Sequence, residues 1–211
     1  MTRPTRYMIP AAVHRVEETI RRSRFITTVG PASTDETARD FIAEIAREFR
    51  DATHNCWAYC LGPPGDTSRI GMSDAGEPHG TAGRPILTVL ETSDVGDIAA
   101  VVTRYYGGVK LGKGGLVRAY GGGVRAALES LRLVELVPRA TLTVTLDYAS
   151  AEAVRRALPD HEAEVVDEKY GTEVVLIVRL PLEMRTGFER TVAGMSNGRA
   201  VIRELPPDVA G

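Results

Sequence analysis

Residues 101–123 read VVTRYYGGVKLGKGGLVRAYGGG and hold eight of the chain's 21 glycines. Lys110 and Lys113, two of only three lysines in a chain that otherwise uses arginine, lie in the same stretch, and no acid stands between Asp97 and Glu129. Bare backbone beside unneutralised positive charge is the composition of an anion site. Glycines let main-chain N–H groups turn toward a ligand, a helix start adds partial positive charge, and lysines supply point charges for phosphate.

Gly107 to Gly114 nearly matches the phosphate-binding pattern GxxxxGK[ST], with an apolar strand before it and a helix after it. The hydroxyl that would hold magnesium is replaced by Gly114, and no metal-binding Asp follows a later strand, so a nucleotide triphosphatase of that class is disfavoured while the anion physics survives. The expected cradle is Gly112, Gly114 and Gly115 at the helix start, with Lys110, Lys113 and Arg118 adding charge. Arg104 and a second helix start at Gly80, Thr81 and Gly83 are its expected opposite wall. The competing reading makes these glycines packing residues. Of Tyr105 and Tyr106, one is expected in the core and the other is free to stack on a base or ring, without the sequence saying which.

Asp74 and Glu77, in SDAGEPHGTAGRP, admit a general acid–base pair. The competing reading has them cap turns or pair with Arg104 or Arg84. His54 and His79 read as structural or exposed. Cys56 and Cys60 are four residues apart on a strand-like segment, about 13 Å, beyond disulfide reach. His54, Cys56 and Cys60 are too spread out for one ion. Free thiols are therefore expected, with no metal and no cofactor.

Elements must position these groups. The 211 residues fit one large or two small domains, with 43% hydrophobic and 26% charged residues, as in ordinary globular proteins. The net charge of −2 makes any anion site local. The start MTRPTRYMIP lacks an apolar signal core and no run is long enough for a membrane helix, so the cytoplasm is the expected location. Two short strands meet near Arg21–Ser23. Ser33 and Glu36 form an expected capping box before a helix with Ala38, Phe41, Ile42, Ile45 and Phe49 on one face. His54–Leu61 and Ile98–Tyr106 read as strands, a helix is expected to begin near Thr81–Arg84, and a long helix carries Leu116, Tyr120, Val124, Ala127 and Leu131. Within it Gly121, Gly122 and Gly123 imply close packing or a local break. Pro138 marks a boundary, and beyond it the order is βαββαβ, the ferredoxin-like split unit. The expected domains are 1–137, with 17 Lys+Arg against 16 Asp+Glu, and 138–211, with 9 against 12. Residues 206–211 read as a loose tail.

Several motifs occur together and in order: His54-Asn55-Cys56-Trp57-Ala58-Tyr59, Ser73 to Pro78, Gly80 to Leu87, Val102 to Gly108, and Leu111 to Tyr120. They resemble the YigZ/IMPACT family over about residues 10–133, and the trailing βαββαβ unit resembles the extra domain of its bacterial members. Ala75 stands where many members carry a second acid, and Tyr106 where Phe is common. The resemblance implies an α+β fold. Its first domain is similar to the second domain of ribosomal protein S-five, an α/β sandwich, and its second to the last domain of elongation factor G. It also implies translational control, which eukaryotic IMPACT exerts through protein contacts in a stress-kinase pathway. The leading expectation is a non-enzymatic protein that binds RNA, the ribosome or a translation-associated protein through the basic loop. An enzyme on a small phosphorylated substrate, with Asp74 or Glu77 moving a proton, and a protein-interaction module remain alternatives. No membrane partner is expected.

Overall fold

In the computed structural model, residues 6–206 are described, so most of the 206–211 tail lies outside them. The chain divides into two compact units, Met1–Leu136 and Val137–Gly211. It is an α+β protein of two domains.

In the first unit β1 (Tyr7–Pro10) precedes the hairpin of β2 (His14–Ile20) and β3 (Ser23–Pro31). Then come α1 (Asp35–Glu48), β4 (His54–Cys60), β5 (Ile70–Ser73), α2 (Gly83–Glu91), β6 (Ile98–Tyr105), α3 (Lys113–Ser130) and β7 (Leu133–Leu136). Five strands form a sheet in the order β2-β3-β6-β4-β5, every pair antiparallel. β6 is central: residues 98–104 are all buried, and the apolar run Ile98–Val102 is what a strand covered on both faces needs, with Thr103 and Arg104 buried after it. Its alternation sorts the two faces. Ala99 and Val101 pack with Ala38, Phe41 and Ile45 of α1. Ala100 and Val102 pack with Ile86, Leu90, Leu116 and Tyr120 of α2 and α3. β1 pairs with β7 as a separate ribbon, Tyr7 opposite Leu136.

One local expectation is corrected and one is decided between its two alternatives. The cap of α1 is Thr34, not Ser33, and Thr37 rather than Glu36 reciprocates: Thr37 N–H donates to Thr34 Oγ1 at 3.1 Å and Thr34 N–H to Thr37 Oγ1 at 3.0 Å. α3 runs through Gly121–Gly123 without a break. Packing explains Gly123, where a Cβ would lie 2.5 Å from Thr27 Oγ1.

The second unit runs β8 (Arg139–Leu146), α4 (Tyr148–Ala157), β9 (Glu164–Tyr170), β10 (Val174–Pro181), α5 (Arg185–Met195) and β11 (Val201–Glu204). Its sheet order, β11-β8-β10-β9, is that of a ferredoxin-like unit. Leu142, Val144, Leu176 and Val178 meet Val154, Phe188 and Val192 in its core. No helix among the described residues is long and apolar enough to cross a membrane.

Candidate anion-binding site

β6 delivers the chain to the loop. Tyr106 N–H donates to Thr53 Oγ1 at 3.0 Å and Gly107 N–H to Ser23 Oγ at 3.2 Å, so the loop is tied to the sheet edge on two sides. Gly112 ends it at φ 72°, a left-handed conformation that glycine adopts without penalty, and serves as the N-cap of α3 with no side-chain cap. The first turn of α3 carries no acid. Leu116 N–H reaches Gly112 O at 3.0 Å, whereas those of Lys113, Gly114 and Gly115 meet no acceptor among the described residues. This helix start keeps its partial positive charge uncompensated.

Beside it lies a cleft of about 460 Å³ lined by His54, Glu77, Arg104, Tyr106, Lys110 and Lys113, among others. Lys110, Gly112 and Lys113 are exposed, and neither lysine makes an ion pair among the described residues. Tyr106 is the free aromatic, 45% exposed on the cleft wall. Tyr105 is not the core residue expected of the pair: it is half-buried and donates its hydroxyl to Asp51 Oδ1 at 2.8 Å, on the exposed side of the sheet end.

Arg104 is in the wall but its charge is committed. Its Nη1 donates to Glu77 Oε1 at 2.6 Å and its Nη2 to Ser23 Oγ at 3.3 Å, while Phe25 and Tyr106 flank the guanidinium at 5.5 and 5.3 Å. It is 5% exposed, and its Nε has no partner among the described residues. Glu77 also accepts from Tyr120 Oη at 2.8 Å. It is thus the anionic centre of a buried cluster and not a partner of Asp74 in proton transfer.

Asp74 is also committed. Its Oδ2 accepts from Gly80 N–H at 2.7 Å, and its Oδ1 from Ala82 and Gly83 N–H at 3.0 and 2.8 Å. Burial pushes its carboxyl up, but the three N–H donors outweigh burial and hold it below the usual carboxylate range. The helix start at Gly80, Thr81 and Gly83, expected as a second wall for a ligand, is therefore occupied by the chain's own anion, and Thr81 Oγ1 donates to Pro78 O at 2.6 Å.

Arg118 also departs from its expected place. With Gly115 it lines a different cleft of about 280 Å³, together with Glu18, Ile20 and Arg21. Gly114 meets little besides Arg118 Nη1, 3.8 Å from where its Cβ would stand.

His54 belongs to the first cleft, which its sequence context did not indicate. It sits opposite Arg104 in the β4–β6 register. Its Nδ1 lies 2.9 Å from Ala75 O, a pure acceptor, so Nδ1 carries the proton. In the neutral ring Nε2 holds the lone pair, 4.0 Å from Glu77 Oε1. The Cys56 thiol is pushed up to about 12, chiefly by burial, and does not ionise near neutrality. Among the described residues no group of three or more His, Cys, Asp or Glu could hold a metal.

A helix-covered antiparallel sheet with this cleft, followed by a ferredoxin-like unit, defines a two-domain protein whose first part matches the Impact N-terminal domain over residues 21–128. A domain of unknown function, DUF1949, matches residues 144–199. The chain belongs to the IMPACT family. It is 41% identical to the IMPACT family member YigZ of Escherichia coli, over 91% of this chain and 94% of that one. It is 39% identical to an IMPACT family member of Haemophilus influenzae, over 94% and 97%. A crystal structure of a hypothetical protein superposes with a TM-score of 0.70 at 38% identity, covering 97% of this chain and 99% of the other.

Proposed function

We propose that this protein binds single-stranded RNA, free or within the translation apparatus, by seating a backbone phosphate against Lys110, Lys113 and the start of α3. The observation that supports it best is the uncapped, acid-free first turn of α3 at a cleft holding an exposed tyrosine and two exposed lysines that have no acid partner among the described residues. Phosphate gains from the lysines and the helix start, and a base gains from stacking on Tyr106, worth about 1–3 kcal/mol per stacked base. The role belongs to translational control, in line with the family resemblance. Replacing both lysines, Lys110→Ala with Lys113→Ala, is expected to weaken binding of an RNA oligonucleotide in fluorescence anisotropy. The slope of log affinity against log salt should fall by about 0.7 for each phosphate contact removed. An unchanged affinity and slope would take the loop out of the interface, and tight binding of a protein partner with no salt dependence would favour the interaction-module reading.

One observation favours a second reading, turnover of a small phosphorylated compound in the same cleft. The His54 Nε2 lone pair lies in the cleft lining, 4.0 Å from the Glu77 Oε1 that Arg104 and Tyr120 already hold, and such a lone pair can take a proton from a bound hydroxyl or water. Under this reading, phosphorus NMR of the protein with simple phosphate monoesters and diesters shows a product that His54→Gln fails to form. Unaltered spectra for the wild type would remove this second reading.

A further inference from the structure

The hairpin joining β2 and β3 turns on two residues, since Ile20 pairs with Ser23. Those residues, Arg21 and Arg22, have φ of 45° and 69°. Two-residue turns with both φ positive favour Asn-Gly, and a side chain held there costs on the order of 1 kcal/mol or more per residue. Turn formation therefore does not account for two arginines. Both are exposed and neither has an acid partner among the described residues. The same holds of Arg118 across the 280 Å³ cleft. Elsewhere arginines do find acids: Arg15 with Glu48, Arg24 with Glu17, Arg155 with Glu168.

The hairpin tip is fixed beside the glycine loop. A Cβ on Gly107 would lie 1.9 Å from Arg22 O, so the loop and the turn are in backbone contact. Leu111 lines both clefts. Lys113 and Arg118 are five residues apart on α3, about 7.5 Å along the axis and about 140° around it, and so flank the helix start on opposite sides. One acid, Glu18, lines the second cleft.

Resting on the RNA reading above, we propose that the two clefts are one track for a single strand: consecutive phosphates pass from Lys110 and Lys113, over Leu111 at the start of α3, to Arg118 and the Arg21-Arg22 turn. The ligand class is then an oligonucleotide and not a mononucleotide, because only a chain with several phosphates reaches both sides of the helix. The doubly substituted turn, Arg21→Asn with Arg22→Gly, tests this without loss of fold, since it removes two charges and installs the residues the turn geometry favours. Binding of oligouridylates of increasing length is measured beside uridine monophosphate. The turn variant, and separately Arg118→Gln, should bind a ten-nucleotide strand on the order of tenfold more weakly with a shallower salt slope. Neither should change binding of the mononucleotide, and the turn variant should melt no lower than the wild type. If the wild type binds the long strand in a Lys110- and Lys113-dependent way while both variants match it, the second cleft is not part of the track and the proposal fails alone. If the wild type binds no oligonucleotide, the RNA reading and the track fail together.

Discussion

Glu77→Ala is expected to destabilise the first unit by about 3–5 kcal/mol, the range for removing one partner of a buried ion pair. Glu77 is 8% exposed and its Oε1 accepts from both Arg104 Nη1 and Tyr120 Oη. Without it a guanidinium 5% exposed keeps, among the described residues, only the Ser23 hydroxyl at 3.3 Å as an acceptor, and its Nε already has no partner among them. The Tyr120 hydroxyl also loses its acceptor inside the core. Glu77→Gln should cost less, because the amide oxygen still accepts from Tyr120 although the charge is gone. The chain's single tryptophan, Trp57, lies on β4, so its fluorescence during denaturant unfolding reports on the first unit. A midpoint shift worth less than about 1 kcal/mol would place this pair with solvated surface pairs and would falsify the account of Glu77 as a structural counter-ion.

The second large effect falls on Gly107. Its added Cβ would stand 1.9 Å from Arg22 O and 2.1 Å from Arg22 C, both main-chain atoms of the neighbouring hairpin. A flexible side chain yields to such a contact, but here the loop and the turn must separate. Overpacking in well-packed regions costs about 1–3 kcal/mol and sometimes more, and Gly107→Ala should reach the upper end. Ser23 Oγ, which accepts from Gly107 N–H and Arg104 Nη2, would be drawn along, so the substitution also disturbs the ion pair. Gly108→Ala is the control. Nothing lies within 4 Å of its Cβ, and its φ of 82° alone should cost about 1–2 kcal/mol. Gly107 has no positive φ of its own, so equal losses for the two variants, in the same fluorescence measurement, would mean that the loop yields to the added methyl and that contact with Arg22 costs no more than the strained backbone at Gly108.

Much of the architecture was readable from local pattern. The apolar period of α1, the unbroken apolar run of β6 and the βαββαβ order of the second unit all follow from how side chains distribute on helices and strands. The cap of α1 was missed by one residue. Ser33 with Glu36 and Thr34 with Thr37 both satisfy the pattern, and only the backbone path decides which hydroxyl meets an N–H. The ribbon of β1 and β7 had no local signal, because it joins residues more than a hundred positions apart.

For the site, the sequence by itself determined the concentration of glycine and lysine without acid between Asp97 and Glu129, and hence an uncompensated helix start. It left open which charges remain available, since charges cancel through space and not along the chain. Tertiary structure spent Arg104 on Glu77 and filled the Gly80–Gly83 helix start with Asp74. It turned Arg118 to the far side of α3, and it brought His54 and the Arg21-Arg22 turn to the clefts. Gly107 shows the same division. Its lack of a side chain is written in the sequence, but the need for that lack comes from Arg22, which approaches it across 85 residues of chain only when the hairpin folds onto the sheet edge.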